Sequence, residues 1–415
     1  MPRAGAVLAL FAALPLLAAA QSGMRDRYFT RYPFDKWKTE GAASQIHWSA
    51  RVQPARLSVH QRLLSRIEIQ LDAKETGKRK SRGEIVTFIE LTDSEGRRWR
   101  THDTFDLAHI PPDAKAQPIL YSQGAYLRPG SYELALAVCD SQTLEHSFST
   151  RTLHIGTLHN DPLPDAWRDL PAVEFSRNFE PPDIWFQPYL RGRLNLPLET
   201  TRPVHLDVIL NMTASDRVAG SVRVFRRNMS VLVPALKLLA GISLKNGTMD
   251  VTLLDLTRKT GVEQKNAHGL DWRKMREPFA RTNPGVIDVQ SLATKADMLQ
   301  FFRDSVVEKV KEVPAGEEPL RVVVVLSAPL FLERQYKTAS APLPRDPNRR
   351  IYYVRCRPVR LTSNGTMGGD AMAPSMASDD LEHVIHSLDG RILNVITPEE
   401  FRKALATILQ DVSRL

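Results

Sequence analysis

The sequence contains very little cysteine: Cys139 and Cys356 are the only two among 415 residues. This count excludes a disulfide framework of the kind that stabilises small exported domains with insufficient cores. Both cysteines end apolar segments that are predicted to form strands, so we expect two separate buried thiols. A single long-range disulfide in an oxidising compartment is the alternative that the sequence leaves open.

Long apolar runs are also missing, except at the start of the chain. Residues 4–20 are apolar apart from one glycine and one proline, and they end in three alanines before Gln21. A membrane-spanning helix needs about 20 consecutive apolar residues, and this stretch is shorter. It is typical of a signal peptide, which predicts cleavage near Ala20, a secreted or periplasmic location and no transmembrane segment after cleavage. An uncleaved membrane anchor is the alternative.

The sequence has no glycine-rich phosphate-binding loop and no nucleic-acid-binding motif. Its net charge of +9 is divided among short basic groups at residues 74–82, 97–100, 226–227 and 345–350. An excess of positive charge favours acidic partners, but aromatic residues do not interleave with these groups in a stacking pattern. We therefore expect a solvated basic surface and no nucleic-acid partner.

The composition is that of a globular protein, with 42% hydrophobic and 25% charged residues, and the length predicts two or three domains. After a lead-in segment at residues 21–43, short runs with period-two alternation occupy residues 44–158. Turn signals separate these runs, and the pattern predicts an all-β sandwich. Within it, residues 127–140 resemble the Pro-Gly-x-Tyr turn and strand found late in immunoglobulin-like domains, which implies that fold and no particular ligand.

Residues 159–202 are rich in proline and aromatic side chains, which predicts an extended linker packed between domains. From residue 203 to residue 415, strand-like and helix-like segments alternate. The apolar runs at residues 204–210 and 320–326 are of the kind that is buried on both faces of a parallel sheet. Residues 203–415 therefore predict a doubly wound α/β domain with a mostly parallel, Rossmann-like sheet.

The order of elements after residue 203 resembles that of a von Willebrand factor type A (VWA) domain. That family binds a divalent cation through Asp-x-Ser-x-Ser at the end of its first strand, where this sequence has Asn211, Thr213 and Ser215. A second metal-contacting aspartate of the family corresponds to Ser327. Because hard cations usually need at least one carboxylate, the resemblance implies a degenerate site without metal. The alternative is that the neighbouring Asp216 supplies the acid and that Mg²⁺, Mn²⁺ or Ca²⁺ binds there.

A signal peptide, an immunoglobulin-like domain and a VWA-like domain with a degenerate metal motif together resemble secreted bacterial proteins of unknown function from Acidobacteria. We expect an exported, non-enzymatic protein-binding or scaffold protein without a cofactor. Open α/β sheets bind ligands at the carboxyl ends of their strands. The candidate partner-binding residues are therefore Asn211, Thr213, Ser215, Arg226 and Ser327. Two alternatives stay open: an exported hydrolase with Ser327 as nucleophile, and a binder of cell-surface polysaccharide.

Overall fold

The computed structural model describes nine stretches of the chain, and contacts divide the chain into two compact units. The described stretches are residues 27–79, 83–109, 117–176, 190–213, 222–281, 297–311, 319–332, 342–357 and 379–415. The first unit comprises residues 1–56, 63–158 and 171–176, and the second comprises residues 57–62, 159–170 and 177–415. Two short pieces that lie within the first unit in sequence thus belong to the second.

The first unit is built from two antiparallel sheets. In chain order, the helices and strands as far as residue 175 are α1 (Phe34–Glu40), β1 (Ala43–Ser44), β2 (Trp48–Val52), β3 (Arg56–Leu57), β4 (Leu63–Leu71), α2 (Ala73–Lys78), β5 (Glu84–Asp93), β6 (Arg98–Asp106), β7 (Ile119–Leu127), β8 (Gly130–Asp140), β9 (His146–Ile155) and β10 (Val173–Phe175). One sheet has the order β1-β9-β8-β5-β6 and the other the order β10-β7-β4-β2. Every one of these neighbouring pairs is antiparallel.

An aromatic cluster fills part of the core of this unit. The lead-in segment contributes Phe29, Tyr32 and Phe34, which pack edge-to-face or tilted against Phe88 of β5 with ring centroids 5.0 to 5.7 Å apart. Such arrangements are preferred because the positive edge of one ring meets the negative face of the next. The lead-in is therefore an integral part of the first unit.

The second unit contains a six-stranded sheet. Its helices and strands are β11 (Pro197–Leu198), β12 (Val204–Asn211), α3 (Val222–Leu239), β13 (Ser243–Leu244), β14 (Gly247–Asp255), β15 (Thr260–Gln264), α4 (Trp272–Arg281), α5 (Met298–Lys311), β16 (Leu320–Ser327), β17 (Arg349–Cys356), α6 (Asp380–Ser387), β18 (Arg391–Val395) and α7 (Pro398–Ser413). The strand order is β15-β14-β12-β16-β17-β18. The five strands from β14 to β18 along this order are parallel, and β15 pairs antiparallel with β14.

Burial explains why the central strands are so apolar. All eight residues of β16 are buried, as a strand covered on both faces requires. Helices α5 and α6 contribute to the hydrophobic cluster that contains Ile209, Val323 and Tyr353. At the amino end of the sheet, β14 begins at Gly247, where φ is +149° and an added Cβ would lie 2.0 Å from the carbonyl oxygen of Val204. Only glycine fits this close approach.

A buried ion pair holds residues 159–170 against α7. Arg402 of α7 is 1% exposed, and its Nε and Nη2 donate to the two carboxylate oxygens of Asp161 at 2.5 and 2.8 Å. Its Nη2 also donates to the carbonyl oxygen of Leu163 at 2.7 Å. The guanidinium carbon lies 4.7 Å from the centre of the Trp167 ring. These contacts satisfy most of an arginine that would otherwise be costly to bury.

The fold class predicted from the sequence is wrong. In the described part of the chain, 40% of the residues lie in strands and only 27% in helices. Antiparallel pairs outnumber parallel ones, because they include every neighbouring pair in the orders β1-β9-β8-β5-β6 and β10-β7-β4-β2 as well as the β14–β15 pair. The β-branched run that suggested a doubly wound domain indicates burial on both faces and does not determine how a strand is connected. The VWA-like assignment, with its preceding immunoglobulin-like sandwich, is corrected with it.

The remaining global expectations concern cysteine and membranes. Cys139 and Cys356 are both free and buried, so the prediction of two separate buried thiols is confirmed. Burial raises the pKa of each thiol to about 12, which keeps both protonated at neutral pH. Among the described helices, none combines the length and the apolar character needed to cross a bilayer.

Candidate functional site

The predicted strand-end residues form a closed network of hydrogen bonds. Asn211 at the end of β12 donates through Nδ2 to Ser327 Oγ at the end of β16, at 2.9 Å. Its Oδ1 accepts from the backbone N–H of Thr213 at 3.0 Å, and Thr213 Oγ1 accepts from the N–H of Leu256 at 2.8 Å. The Ser327 hydroxyl donates to the carbonyl oxygen of Ala328 at 2.6 Å. These side chains therefore bond to one another and to backbone.

Burial also limits what these side chains can contact. Asn211 and Ser327 are each 1% exposed, and Thr213 is 9% exposed. Arg226 is exposed on α3, whereas Ser215 and Asp216 lie outside the described residues. The VWA resemblance assigned Asn211 and Ser327 to one site, and the hydrogen bond between them shows that the two side chains do meet. The hydrogen bond between the buried side chains of Asn211 and Ser327 has a structural role, because it links the carboxyl ends of the neighbouring strands β12 and β16.

A second polar cluster lies in the middle of β12 and was not predicted. His205 and Asp207 are two residues apart on β12 and share a face of the sheet, and Asp250 of β14 is the register partner of Asp207. His205 Nε2 lies 3.2 Å from Asp207 Oδ2 and 3.7 Å from Asp250 Oδ2. The histidine and carboxylate ligand atoms all lie within 4.8 Å of one another. This arrangement has the composition and size of a metal site.

Charge and burial shift the proton affinities within this cluster. The Asp207 carboxylate, 3.2 Å from Nε2, raises the pKa of His205 more than burial lowers it. Burial raises the pKa of Asp207, and the nearby His205 and Lys309 only partly offset that effect. Lys309 Nζ of α5 lies 3.8 Å from Asp207 Oδ1 and also pairs with Glu263 of β15. The cluster is therefore a buried acidic centre partly neutralised by neighbouring cations.

A third candidate is a basic pocket in the second unit. Its volume is about 260 Å³, and its lining includes four basic side chains: Arg62, Arg191, Arg193 and Lys237. Trp272, Pro234 and five leucines supply apolar walls. No aspartate or glutamate is among the described residues that line it. Excess positive charge in a concave site raises the local concentration of anions.

The pKa of His60 reflects the positive charge of the basic pocket. Burial, together with the charges of Lys237 and Arg62, lowers the pKa of this imidazole to about 3. His60 is therefore neutral at physiological pH, since its own protonation would add another positive charge. Lys237 also donates from Nζ to the carbonyl oxygen of Leu190 at 3.2 Å, which connects α3 to the pocket wall formed by residues 190–196.

Sequence reasoning missed both unpredicted sites for different reasons. The His-x-Asp spacing in β12 signals two polar side chains on one face of a buried strand, but its third member depends on the register with β14. The basic pocket combines residues from four separate segments near positions 60, 191, 237 and 272. No local pattern in the sequence connects these segments.

Comparison with known proteins gives no family assignment. No protein-family model matches the chain, and no curated protein matches it. A solved structure of the putative ApaA protein from Bordetella pertussis is 14% identical, with a TM-score of 0.19 over 28% of this chain and 98% of that protein. The X-ray structure of a structural genomics target, SoR45, is 15% identical, with a TM-score of 0.18 over 28% of this chain and 92% of its own.

One further solved structure covers most of the chain. A family 123 glycoside hydrolase from Clostridium perfringens is 8% identical over 88% of each chain, with a TM-score of 0.20. Likenesses at these scores establish neither a family nor an activity. The predicted relationship to VWA domains finds no support in these comparisons and is corrected together with the fold class.

Proposed function

We propose that this chain is an exported, non-enzymatic binding protein whose second unit recognises an anionic group of a partner protein in the basic pocket. One observation carries the proposal: four basic side chains line a single cavity whose described lining contains no carboxylate. Guanidinium groups bind carboxylates and phosphates through charge-assisted hydrogen bonds, which are about twice as strong as neutral ones. An acidic side chain or terminal carboxylate of a partner supplies this complement.

The size and the apolar lining of the pocket restrict the kind of ligand that fits. Drug-sized ligands usually occupy about 300–1,000 Å³, whereas this pocket measures about 260 Å³. It therefore suits one residue-sized group of a larger partner. Trp272 and the leucines favour a group that combines a negative charge with some apolar surface.

The strand-end residues are less suited to recognition than the basic pocket. Asn211, Thr213 and Ser327 are buried and already hydrogen-bonded within the chain, so contact with a partner would require breaking those bonds. Arg226 is exposed and keeps its place as a candidate contact.

Among the described residues, Ser327 also has no general base in contact with its hydroxyl. An activated serine needs a general base within hydrogen-bond reach, whereas the hydroxyl of Ser327 contacts the amide of Asn211 and the carbonyl of Ala328. This contact pattern favours a binding role over the alternative of a hydrolase.

A binder of cell-surface polysaccharide is the second candidate. Trp272 in the pocket lining favours it, because aromatic rings offer a flat apolar surface on which a sugar ring can lie, and an acidic sugar would supply the negative charge. The two candidates share the chemistry of the pocket and differ in the molecule that carries the anion.

Fluorescence polarisation with two acidic probes tests the proposal. The purified chain is titrated against fluorescein-labelled hexaglutamate and labelled oligogalacturonate. Lys237→Met is compared with Lys403→Met, which removes the same charge from an exposed position on α7 that does not line the pocket. A hydrogen bond to a charged group contributes about 1.5–3 kcal/mol, so we expect Lys237→Met to weaken binding by about tenfold or more.

The control and the choice of probe separate the outcomes. Lys403→Met should change the affinity by less than about twofold, because an isolated surface charge is screened by salt. Equal effects of the two substitutions, or no binding of either probe, would contradict the proposed pocket. Binding of oligogalacturonate alone would favour the polysaccharide alternative. Export is tested separately, by whether residues 1–30 direct a reporter enzyme out of the bacterial cytoplasm.

A further inference from the structure

We propose that His205, Asp207 and Asp250 form a binding site for a single divalent transition-metal ion, of which Zn²⁺ is the best match. The site is distinct from the basic pocket and from the strand ends. His205 and Asp207 come from the first half of β12, and Asp250 comes from the neighbouring strand β14. Each residue thus projects from a regular strand within the sheet, which fixes the positions of the ligands.

The spacing of the ligand atoms fits one tetrahedral ion. Zinc lies about 2.0–2.2 Å from histidine nitrogens and carboxylate oxygens. Two such ligands at a tetrahedral angle are therefore roughly 3.4 Å apart. The observed distances from His205 Nε2 are 3.2 Å to Asp207 Oδ2 and 3.7 Å to Asp250 Oδ2. Both values are close to that spacing.

Each proposed ligand is held through its other polar atom. His205 Nδ1 lies 2.7 Å from Thr248 Oγ1, so the imidazole directs Nε2 towards the two carboxylates. Asp250 Oδ1 accepts from the backbone N–H of Asn266 at 2.8 Å, which leaves its Oδ2 for the ion. Outer contacts of this kind orient metal ligands and fix the histidine tautomer.

Asp207 provides an independent indication of a missing positive ligand. It is 1% exposed, and within the described part of the chain neither of its oxygens accepts a hydrogen bond. Its Oδ1 faces Lys309 Nζ at 3.8 Å, beyond hydrogen-bond distance. Buried carboxylates are normally satisfied by hydrogen bonds, a cation partner or a metal. Coordination of a metal by Oδ2 would satisfy this carboxylate.

The local charge matches a divalent ion. A histidine that binds a metal must be neutral, and the carboxylates of Asp207, Asp250 and Glu263 with the ammonium of Lys309 then give a net charge of minus two. A divalent cation neutralises this cluster. One imidazole and two carboxylates favour zinc or a similar transition metal over Mg²⁺ and Ca²⁺, which prefer oxygen ligands alone. Because Asp207 and Asp250 are buried and the His205 side chain is only 12% exposed, the ion would be structural and would join β12 to β14.

Metal titration of the full chain without a polyhistidine tag tests this inference. Protein dialysed against EDTA is titrated with Zn²⁺ in the presence of a chromophoric chelator, and with Co²⁺ as a spectroscopic probe. We expect one ion per chain and the visible absorption of tetrahedral Co²⁺. Removing a contact that only orients a ligand lowers metal affinity by about 10–100-fold, so loss of a ligand in His205→Gln or Asp250→Asn should weaken zinc binding by at least about 100-fold.

His383→Gln is the matched control, because His383 is exposed on α6 and lies outside the cluster. This substitution should leave the affinity unchanged, and circular dichroism should verify that all variants are folded. The inference is overturned if the unmodified chain takes up no zinc at micromolar concentrations, or if His205→Gln and His383→Gln bind zinc equally well. The titration of the unmodified chain uses no variant, so the inference can still be tested if His205→Gln does not fold.

Discussion

Replacing Asp161 by alanine should destabilise the second unit strongly, because it leaves Arg402 buried without its carboxylate. Both hydrogen bonds from Arg402 to Asp161 would be lost, at 2.5 and 2.8 Å, while the arginine would stay only 1% exposed. Removing one partner of a buried ion pair usually lowers the free energy of unfolding by about 3–5 kcal/mol. The carbonyl of Leu163 and the ring of Trp167 still contact the guanidinium. We therefore expect a loss near about 3 kcal/mol.

Urea denaturation followed by tryptophan fluorescence measures this loss. For an m-value of about 3 kcal/mol per molar urea, the midpoint should fall by about 1 M. The control is Asp165→Ala, which removes an aspartate from the exposed Asp165–Arg168 pair, whose side chains are 71% and 64% exposed. Such surface pairs contribute at most about 1 kcal/mol. Equal midpoints for Asp161→Ala and Asp165→Ala would refute the reasoning from burial.

The same comparison across pH has a defined sign. Burial alone would raise the pKa of Asp161, but the hydrogen bonds from Arg402 outweigh it and the pKa is lowered. A lowered pKa in the folded state stabilises the protein above the unfolded-state value, about 3.9 for aspartate, and this contribution disappears as the pH falls through the folded-state value. The difference between the unmodified chain and Asp161→Ala should thus be complete at pH 6 and shrink below about pH 4. A difference that grows in acid would contradict this assignment.

Two further substitutions test contacts at the two ends of strand β12 in the six-stranded sheet. Asn211→Leu removes the acceptor of the Thr213 N–H and should lower the free energy of unfolding by about 2 kcal/mol, since a buried donor is left unsatisfied; a urea midpoint equal to that of the exposed variant Arg226→Ala would contradict this. Gly247→Ala should prevent stable folding, because its Cβ would lie 2.0 Å from the Val204 carbonyl oxygen. Gly156→Ala, where no atom lies within 4 Å of the added Cβ, is the control and should express as soluble protein. Equal soluble yields of the two glycine variants would show that the strands separate easily.

Local patterns in the sequence predicted several elements well. The run predicted as a strand at residues 320–326 is observed at Leu320–Ser327, because continuous β-branched residues favour a strand buried on both faces. The Thr-Pro-Glu-Glu sequence at residues 397–400 predicts a helix start with a capping box, and the last helix begins with it: Thr397 accepts from the N–H of Glu400, and the Glu400 side chain accepts from the N–H of Thr397. Both signals act over a few residues and need no knowledge of the tertiary structure.

Other predictions failed where competing effects decide the structure. Ser230, four residues before Pro234, predicts the start of a helix, but the helix begins at Val222, and Ser230 Oγ donates to the carbonyl of Arg227 inside it. Pro234 also lies inside this helix, although proline usually breaks one. Thr294 and Asp297 have the spacing of a capping box, and Thr294 lies outside the described residues.

The candidate sites show most clearly that local sequence patterns do not reveal contacts between distant segments. Apolar patterning located the end of β12, but it gave no information about the hydrogen bonds that join Asn211, Thr213 and Ser327 to one another and to the backbone. The His205 cluster depends on the register between β12 and β14, and the basic pocket depends on contacts between segments that are distant in sequence. Both are consequences of tertiary structure.

The most direct test of the proposed anion pocket is the histidine NMR spectrum of His60, recorded as a function of pH with and without hexaglutamate. The resonance is assigned by its absence in His60→Gln. Because the pKa of His60 is lowered to about 3 in the free protein, the imidazole should be neutral at pH 5 without ligand. An anion bound among Arg62, Lys237 and their neighbours would reduce the repulsion and raise this pKa. Binding that leaves the resonance and the titration of His60 unchanged would contradict the account.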